Sequence, residues 1–211
     1  QERIPPRLLE LYRRRYATMY DRADLYVPFF ERSLELLGPT GVLGFICANR
    51  WIKNKYGAPL RQLVSSGFHL EAYIDLQGVD VFSDTVDAYA AVTVIRRGGS
   101  GPTVVVTDAA RAAMSVGAAF AAAAAPSSNH RAVVVSGATS GRDPWLLDAP
   151  EVVPALRALE SRLPTLEQSG AVVGIGVATG YDKVYIGDFK ELPVEACRKL
   201  PLAMASDLVG G

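Results

Sequence analysis

The chain has 211 residues, 49% hydrophobic and 21% charged, and its 22 basic side chains are balanced by 22 acidic ones. That is an ordinary globular composition with material for a real core, and it excludes attraction to nucleic acid by the field of the whole chain. Cys47 and Cys197 are too few for a disulfide framework or a cysteine metal site, and no apolar run reaches the length of a membrane span.

Length allows one large domain or one and a half. A free thiol in an apolar strand, as at Cys47, behaves as a small hydrophobe and fits a reducing cytosol, so a cytoplasmic protein is expected. The chain starts at Gln1 rather than Met, which leads us to expect part of something longer.

Pro5 and Pro6 open a helix expected from about Arg7 to Tyr16, with Leu8, Leu9, Tyr12 and Tyr16 on one face and arginines behind. After a polar joint at Tyr20 to Arg22, Asp24 is a candidate N-cap for a second helix. Its expected buried side is Leu25, Phe29, Leu34 and Leu37, and Pro28 is tolerable if the helix starts near Val27. Gly38 to Gly41 turns the chain into a buried strand, Val42 to Ala48. The polar turn Asn49 to Lys55 and a helix around Ala58 to Ser65 follow, with Gly67 as a left-handed cap.

Strands are expected at His69 to Leu76 and Ala88 to Ile95, separated by a loop with Phe82 at its middle. Without an intervening helix they suggest an antiparallel pair at a sheet edge. Arg96 to Gly99 breaks the second strand, and composition places a boundary near 98–102. Beyond it come a strand at Thr103 to Thr107, an Ala-rich helix at Ala109 to Ala125, a strand at Ala132 to Ser136 and a helix at Glu151 to Arg162. Strands at Ala171 to Ala178 and Val184 to Ile186 close the pattern. Helices alternating with Val/Ile/Leu-rich strands indicate an α/β fold.

Ordinary catalysts are not evident. His69 and His130 have no Ser or Cys partner at a recognisable spacing, and acids and histidines do not gather at metal-ligand spacing. Gly174-x-Gly176 followed by Gly180 lacks the Lys-Ser/Thr ending of a phosphate loop and reads as a turn. What stands out is charge. No acidic residue occurs between Glu35 and Glu71, whereas Arg50, Lys53, Lys55 and Arg61 do, and most of them lie just past a strand end, where open α/β sheets bind ligands.

The ordered ensemble is distinctive. Asp24 to Val42 carries Asp-Leu-Tyr-x-x-Phe-x-x-x-x-Leu-x-Leu-Leu, then glycines and a valine; Phe45 to Trp51 carries Phe-Ile-x-x-Asn-x-Trp. These blocks resemble the C-terminal half of the catalytic domain of gamma-type amino-group DNA methyltransferases. Those are the N6-adenine methylases of restriction-modification enzymes, including the single-chain type with a fused nuclease. The resemblance covers residues 1–97, and more weakly 170–190, where Val173 to Ile186 is similar to the opening of a target recognition region.

The resemblance implies a Rossmann-like sheet, mostly parallel with one reversed strand near its edge, and S-adenosylmethionine-dependent methylation of adenine in double-stranded DNA. The base would be flipped out of the duplex. Phe82 would pack against it, Leu25 and Tyr26 would line the cofactor side, and Asn49, Arg50, Lys53 and Lys55 would meet DNA. Residues 1–100 would be the back half of the catalytic domain, 101–165 an α/β extension or linker, and 166–211 the start of the DNA-reading region. Further domains or subunits of a restriction-modification system would be partners. The family's cofactor-binding glycine loop and its Asn-Pro-Pro-Tyr tetrapeptide are not in this sequence, so the 211 residues are expected to be inactive alone. A methyltransferase acting on a protein or small molecule, and a non-catalytic DNA-binding or assembly subunit, are the alternatives.

Overall fold

The computed structural model describes residues 4–77, 79, 89–107, 115–126, 132–137, 139, 141–147, 152–172, 174 and 179–202. Two compact units are present, Gln1–Ser161 and Arg162–Gly211.

The first unit opens with α1 (Pro6–Arg15), started by a proline where the missing N–H costs nothing. The joint that follows is held by Glu31, whose carboxylate accepts the backbone N–H groups of Ala17 (3.1 Å) and Thr18 (2.8 Å). Helix α2 (Tyr26–Leu36) places Pro28 in its first turn, where it is tolerated. Its buried face is Val27, Pro28, Phe30, Glu31 and Leu34. The expected face was offset: Leu34 is buried, but Phe29 is 62% exposed and its neighbour Phe30 is the core residue. Asp24 bonds the adjacent N–H of Leu25 and does not cap the helix.

Strand β1 (Val42–Ala48) has the expected bounds, and α3 (Ala58–Gly67) follows two short 3-10 turns, Asn49–Ile52 and Lys55–Gly57. Gly67 is the last helical residue and lacks the positive φ expected of a left-handed cap; Phe68 leaves the helix directly into extended backbone. Then come β2 (Phe68–Asp75), β3 (Ala90–Arg97), β4 (Thr103–Val106), α4 (Val116–Ala124), β5 (Ala132–Val135) and α5 (Val153–Glu160).

The five strands form one mixed sheet in the order β1-β3-β2-β4-β5. β3 lies between β1 and β2 and is antiparallel to both, so β1 and β2 run the same way; β4 is parallel to β2 and β5 antiparallel to β4. The antiparallel β2–β3 pair was therefore foreseen, but it lies inside the sheet and not at an edge. Among the described strands two are reversed, not one. The sheet also runs through the composition boundary, because β4 pairs with β2.

Successive side chains of a strand face opposite ways, and here both faces are covered. Leu70, Tyr73, Ala91 and Ile95 pack with Phe30, Leu34, Trp51 and Leu60. Ile74, Ala90, Val92 and Val106 pack with Ala119 and Ala122 of α4. Small alanines there let α4 approach closely.

In the second unit the described residues carry a four-residue helix α6 (Asp182–Tyr185) and a 3-10 turn, Ala196–Arg198, with no fully buried side chain. Val184 is thus helical rather than extended. Residues 175–178 of the other expected strand lie outside the described residues. No helix among the described residues is long and apolar enough to cross a membrane.

Candidate functional site

Because β1 and β2 run the same way, their carboxyl ends, Ala48 and Asp75, meet at one end of the sheet beside the start of β3. The ladder continues past the strands: the N–H of Asn49 donates to Tyr89 O (2.8 Å) and that of Leu76 to Ala90 O (2.9 Å). This brings Asn49, Arg50, Lys53, Tyr73, Asp75, Gln77 and Tyr89 around an open cavity of about 270 Å³.

Hydrogen bonds hold several of its polar groups. Asn49 Nδ2 donates to the Tyr73 hydroxyl (3.2 Å), and Asp75 Oδ1 accepts from the Gln77 N–H (2.9 Å). The Arg50 guanidinium lies over the Tyr89 ring, 4.1 Å from its centroid, a cation–π contact that fixes the cation at the mouth. Lys53 lines the same cavity, while Lys55, in the next 3-10 turn, is exposed outside it.

Behind the cavity the turn is built on buried groups. Trp51 is fully buried, with Phe30 at 5.3 Å and Trp145 at 5.5 Å between ring centroids. Gly57 is required by close approach: a Cβ there would lie 1.9 Å from the Trp51 carbonyl oxygen. Tyr26 Oη and Tyr56 Oη are 2.9 Å apart. Burial, and then this bond, push the Tyr26 phenol far above its usual range, so Tyr26 keeps its proton; either hydroxyl can donate to the other. Burial also raises Tyr56, and it pushes the Cys47 thiol up to about 12.

The sequence-predicted residues therefore separate. Asn49, Arg50 and Lys53 come together; Lys55 stands apart. Leu25 lines a different groove with Tyr12, Tyr16, Pro28, Phe29 and Arg32, and Tyr26 faces Tyr56. Phe82 lies outside the described residues. Arg61, which the sequence groups with the basic stretch, is internal, 1% exposed and bonded to backbone carbonyls. Sequence reasoning missed Tyr73, Asp75, Gln77 and Tyr89. The strand-end rule that picked out Asn49 applies equally to β2 and to the entry of β3, and would have found them.

Comparison with known proteins bears directly on this arrangement. The family model described as Eco57I restriction-modification methylase matches residues 1–82, which hold β1, the polar turn and β2. The type II methyltransferase M.XhoI of Xanthomonas vasicola is 50% identical over 217 aligned residues, covering all of this chain. Along its whole length the chain is similar to type II methyltransferases. M.PaeR7I of Pseudomonas aeruginosa is 47% identical and M.BstVI of Geobacillus stearothermophilus 36%, each again across the whole chain. The chain spans 40%, 37% and 39% of the lengths of these three relatives, respectively.

Among the described residues no group of three or more His, Cys, Asp or Glu could hold a metal. Toward a methyl donor, the two residues suggested for it offer packing only. Tyr26's hydroxyl is engaged with Tyr56, and Leu25 is apolar. These two can border S-adenosylmethionine but cannot by themselves hold it.

Proposed function

We propose that this chain is the DNA-facing part of a site-specific methyltransferase that transfers a methyl group from S-adenosylmethionine to the N6 amino group of adenine in double-stranded DNA, within a restriction-modification system. The observation that carries the reading is the hydrogen-bonded cavity, lined by Arg50 and Lys53, at the carboxyl ends of β1 and β2 on either side of the start of β3, in a chain that matches type II methyltransferases along its whole length. Sheets of this kind take ligands beyond their strand ends, and a base must leave the duplex to be methylated on its amino group.

On this reading the sheet is the back half of a Rossmann-like methyltransferase sheet. β1, outermost among the described strands and bearing exposed Val42 and Ile46, is where the remaining strands add. Arg50, Lys53 and Lys55 meet phosphates, and Asn49 borders the target pocket with Phe82. Leu25 and Tyr26 border the methyl donor, which supplies the methyl group as an electrophile. Residues after about 165 begin the part that reads sequence. Binding of the donor's methionine and ribose, and the grip on the adenine amino group, fall to residues outside this sequence, so the 211 residues bind duplex DNA without methylating it.

The test is fluorescence anisotropy of a labelled duplex at 50 and 200 mM salt. Three cations on phosphates give a loss of affinity of roughly 40-fold over that range. Binding indifferent to salt, or absent at both concentrations, overturns the reading and favours an assembly role for the open β1 edge.

A further inference from the structure

Arg61 is the third-largest fully buried side chain in the described core, yet it carries a charge. Among the described residues no ion pair involves it. Its guanidinium is spent entirely on main-chain oxygens. Nη1 donates to Trp51 O (2.6 Å) and Asn54 O (3.0 Å), and Nε and Nη2 donate to Arg142 O (3.0 and 2.6 Å). Burial pulls its pKa down, partly offset by the nearby Asp143. A leucine would fill such a position in an amphipathic helix without a desolvation cost, so the packing of α3 does not account for an arginine here. What an arginine adds is a rigid planar fork that fixes several acceptors in one geometry.

The acceptors it joins are far apart in sequence. Trp51 and Asn54 belong to the turn that presents Arg50 and Lys53 to the cavity. Arg142 lies 81 residues beyond Arg61, in a segment, 141–147, that has no regular secondary structure. The same two pieces meet twice more: the Trp145 N–H donates to Ile52 O (3.0 Å), and the Trp145 ring stands edge-on to Trp51.

We infer that Arg61 is a positioning residue, whose guanidinium clamps the Asn49–Lys55 turn to the 141–147 segment so that the shape of the cationic turn is set by chain eighty residues downstream. The importance of that shape for DNA rests on the function proposed above; the clamp itself does not. The planar fork spaces the Trp51, Asn54 and Arg142 carbonyls, Gly57 leaves room for the first of them, and the outward face of the turn carries the cations.

Native-state amide hydrogen exchange on the unmodified chain tests the clamp without any substitution. The amides of Asn54 and Gly57 in the turn and of Trp145 in the segment share one opening equilibrium with one dependence on urea. Opening of the turn at lower urea, with Trp145 still protected, overturns the inference. The conservative variant Arg61→Lys supplies the second measurement, because an ammonium cannot hold three carbonyls in a plane. Turn amides exchange about tenfold faster, β2–β3 ladder amides are unchanged, and duplex affinity falls about tenfold. Acceleration spread evenly through α3 and the ladder marks a merely structural arginine and overturns it, as does unchanged exchange in the turn. If the unmodified chain binds no duplex, the DNA reading falls while the exchange data still decide the clamp.

Discussion

Tyr26, at the start of α2, and Tyr56, in the 3-10 turn before α3, join their hydroxyls at 2.9 Å across thirty residues of chain. The Trp51 main chain beside Tyr26 acts to lower that phenol, so the pair also adjoins the backbone of the cationic turn. Two helices are thereby tied to the site they flank. Removing one phenol strands the other, so the double variant should cost less than the sum of Tyr26→Phe and Tyr56→Phe. We expect a coupling of about 1 kcal/mol in a double-mutant cycle of urea melts. A coupling of zero would show that the two hydroxyls do not interact in solution.

Cys47 gives a pH prediction with a definite sign. Its thiol rises from the ordinary 9 to about 12 on folding, so between those values the unfolded chain sheds the proton and the folded chain keeps it. Stability is complete below pH 9 and declines as pH climbs toward 12, by about 1.4 kcal/mol per unit at most. The raised Tyr26 phenol acts in the same direction above pH 10. In Cys47→Ala the decline between pH 9 and 10 should be shallower, which chemical denaturation across that range measures. The same burial makes Cys47 slow toward a thiol reagent at pH 8. The fast phase should belong to the exposed Cys197 and vanish in Cys197→Ser.

Gly57→Ala forces a methyl group to within 1.9 Å of a main-chain oxygen that Arg61 already holds. Backbone cannot give way there as a flexible side chain would. A loss of about 1–3 kcal/mol is expected, read from the denaturation midpoint. Gly44→Ala, whose added Cβ meets nothing within 4 Å, serves as the control.

Phe29 and Phe30 are adjacent and chemically identical, and they should behave oppositely. Phe30 is fully buried against Phe45 and Trp51, so Phe30→Ala should cost about 3–5 kcal/mol. Phe29 is largely exposed, and Phe29→Ala should stay within about 0.5 kcal/mol. Equal losses in thermal melts would contradict the observed rotation of α2.

Arg50 and Lys53 line the cavity without holding the core, so Arg50→Ala and Lys53→Ala should leave the melting curve in place. Each should weaken duplex binding and lower the slope of log affinity against log salt by about one. An unchanged slope in both variants would remove these side chains from the DNA surface.

Local chemistry determined much of this protein. The bounds of β1 followed from a short apolar run between a Gly-Pro-Thr-Gly turn and a polar cluster, and α1 from proline and helical spacing, because those signals act within a few residues. The motif blocks around Asp24 and Asn49 carried the resemblance to restriction-modification methylases. Which phenylalanine of α2 enters the core did not follow, because a rotation of one residue leaves the sequence periodicity almost unchanged while the sheet accepts only one face. Tertiary structure alone decided that β3 sits between β1 and β2, since strand order depends on pairings between distant segments. It alone set Arg61 apart from Arg50 and Lys53. All three are cations in one polar stretch, and only the arrival of Arg142 from far along the chain made one of them internal.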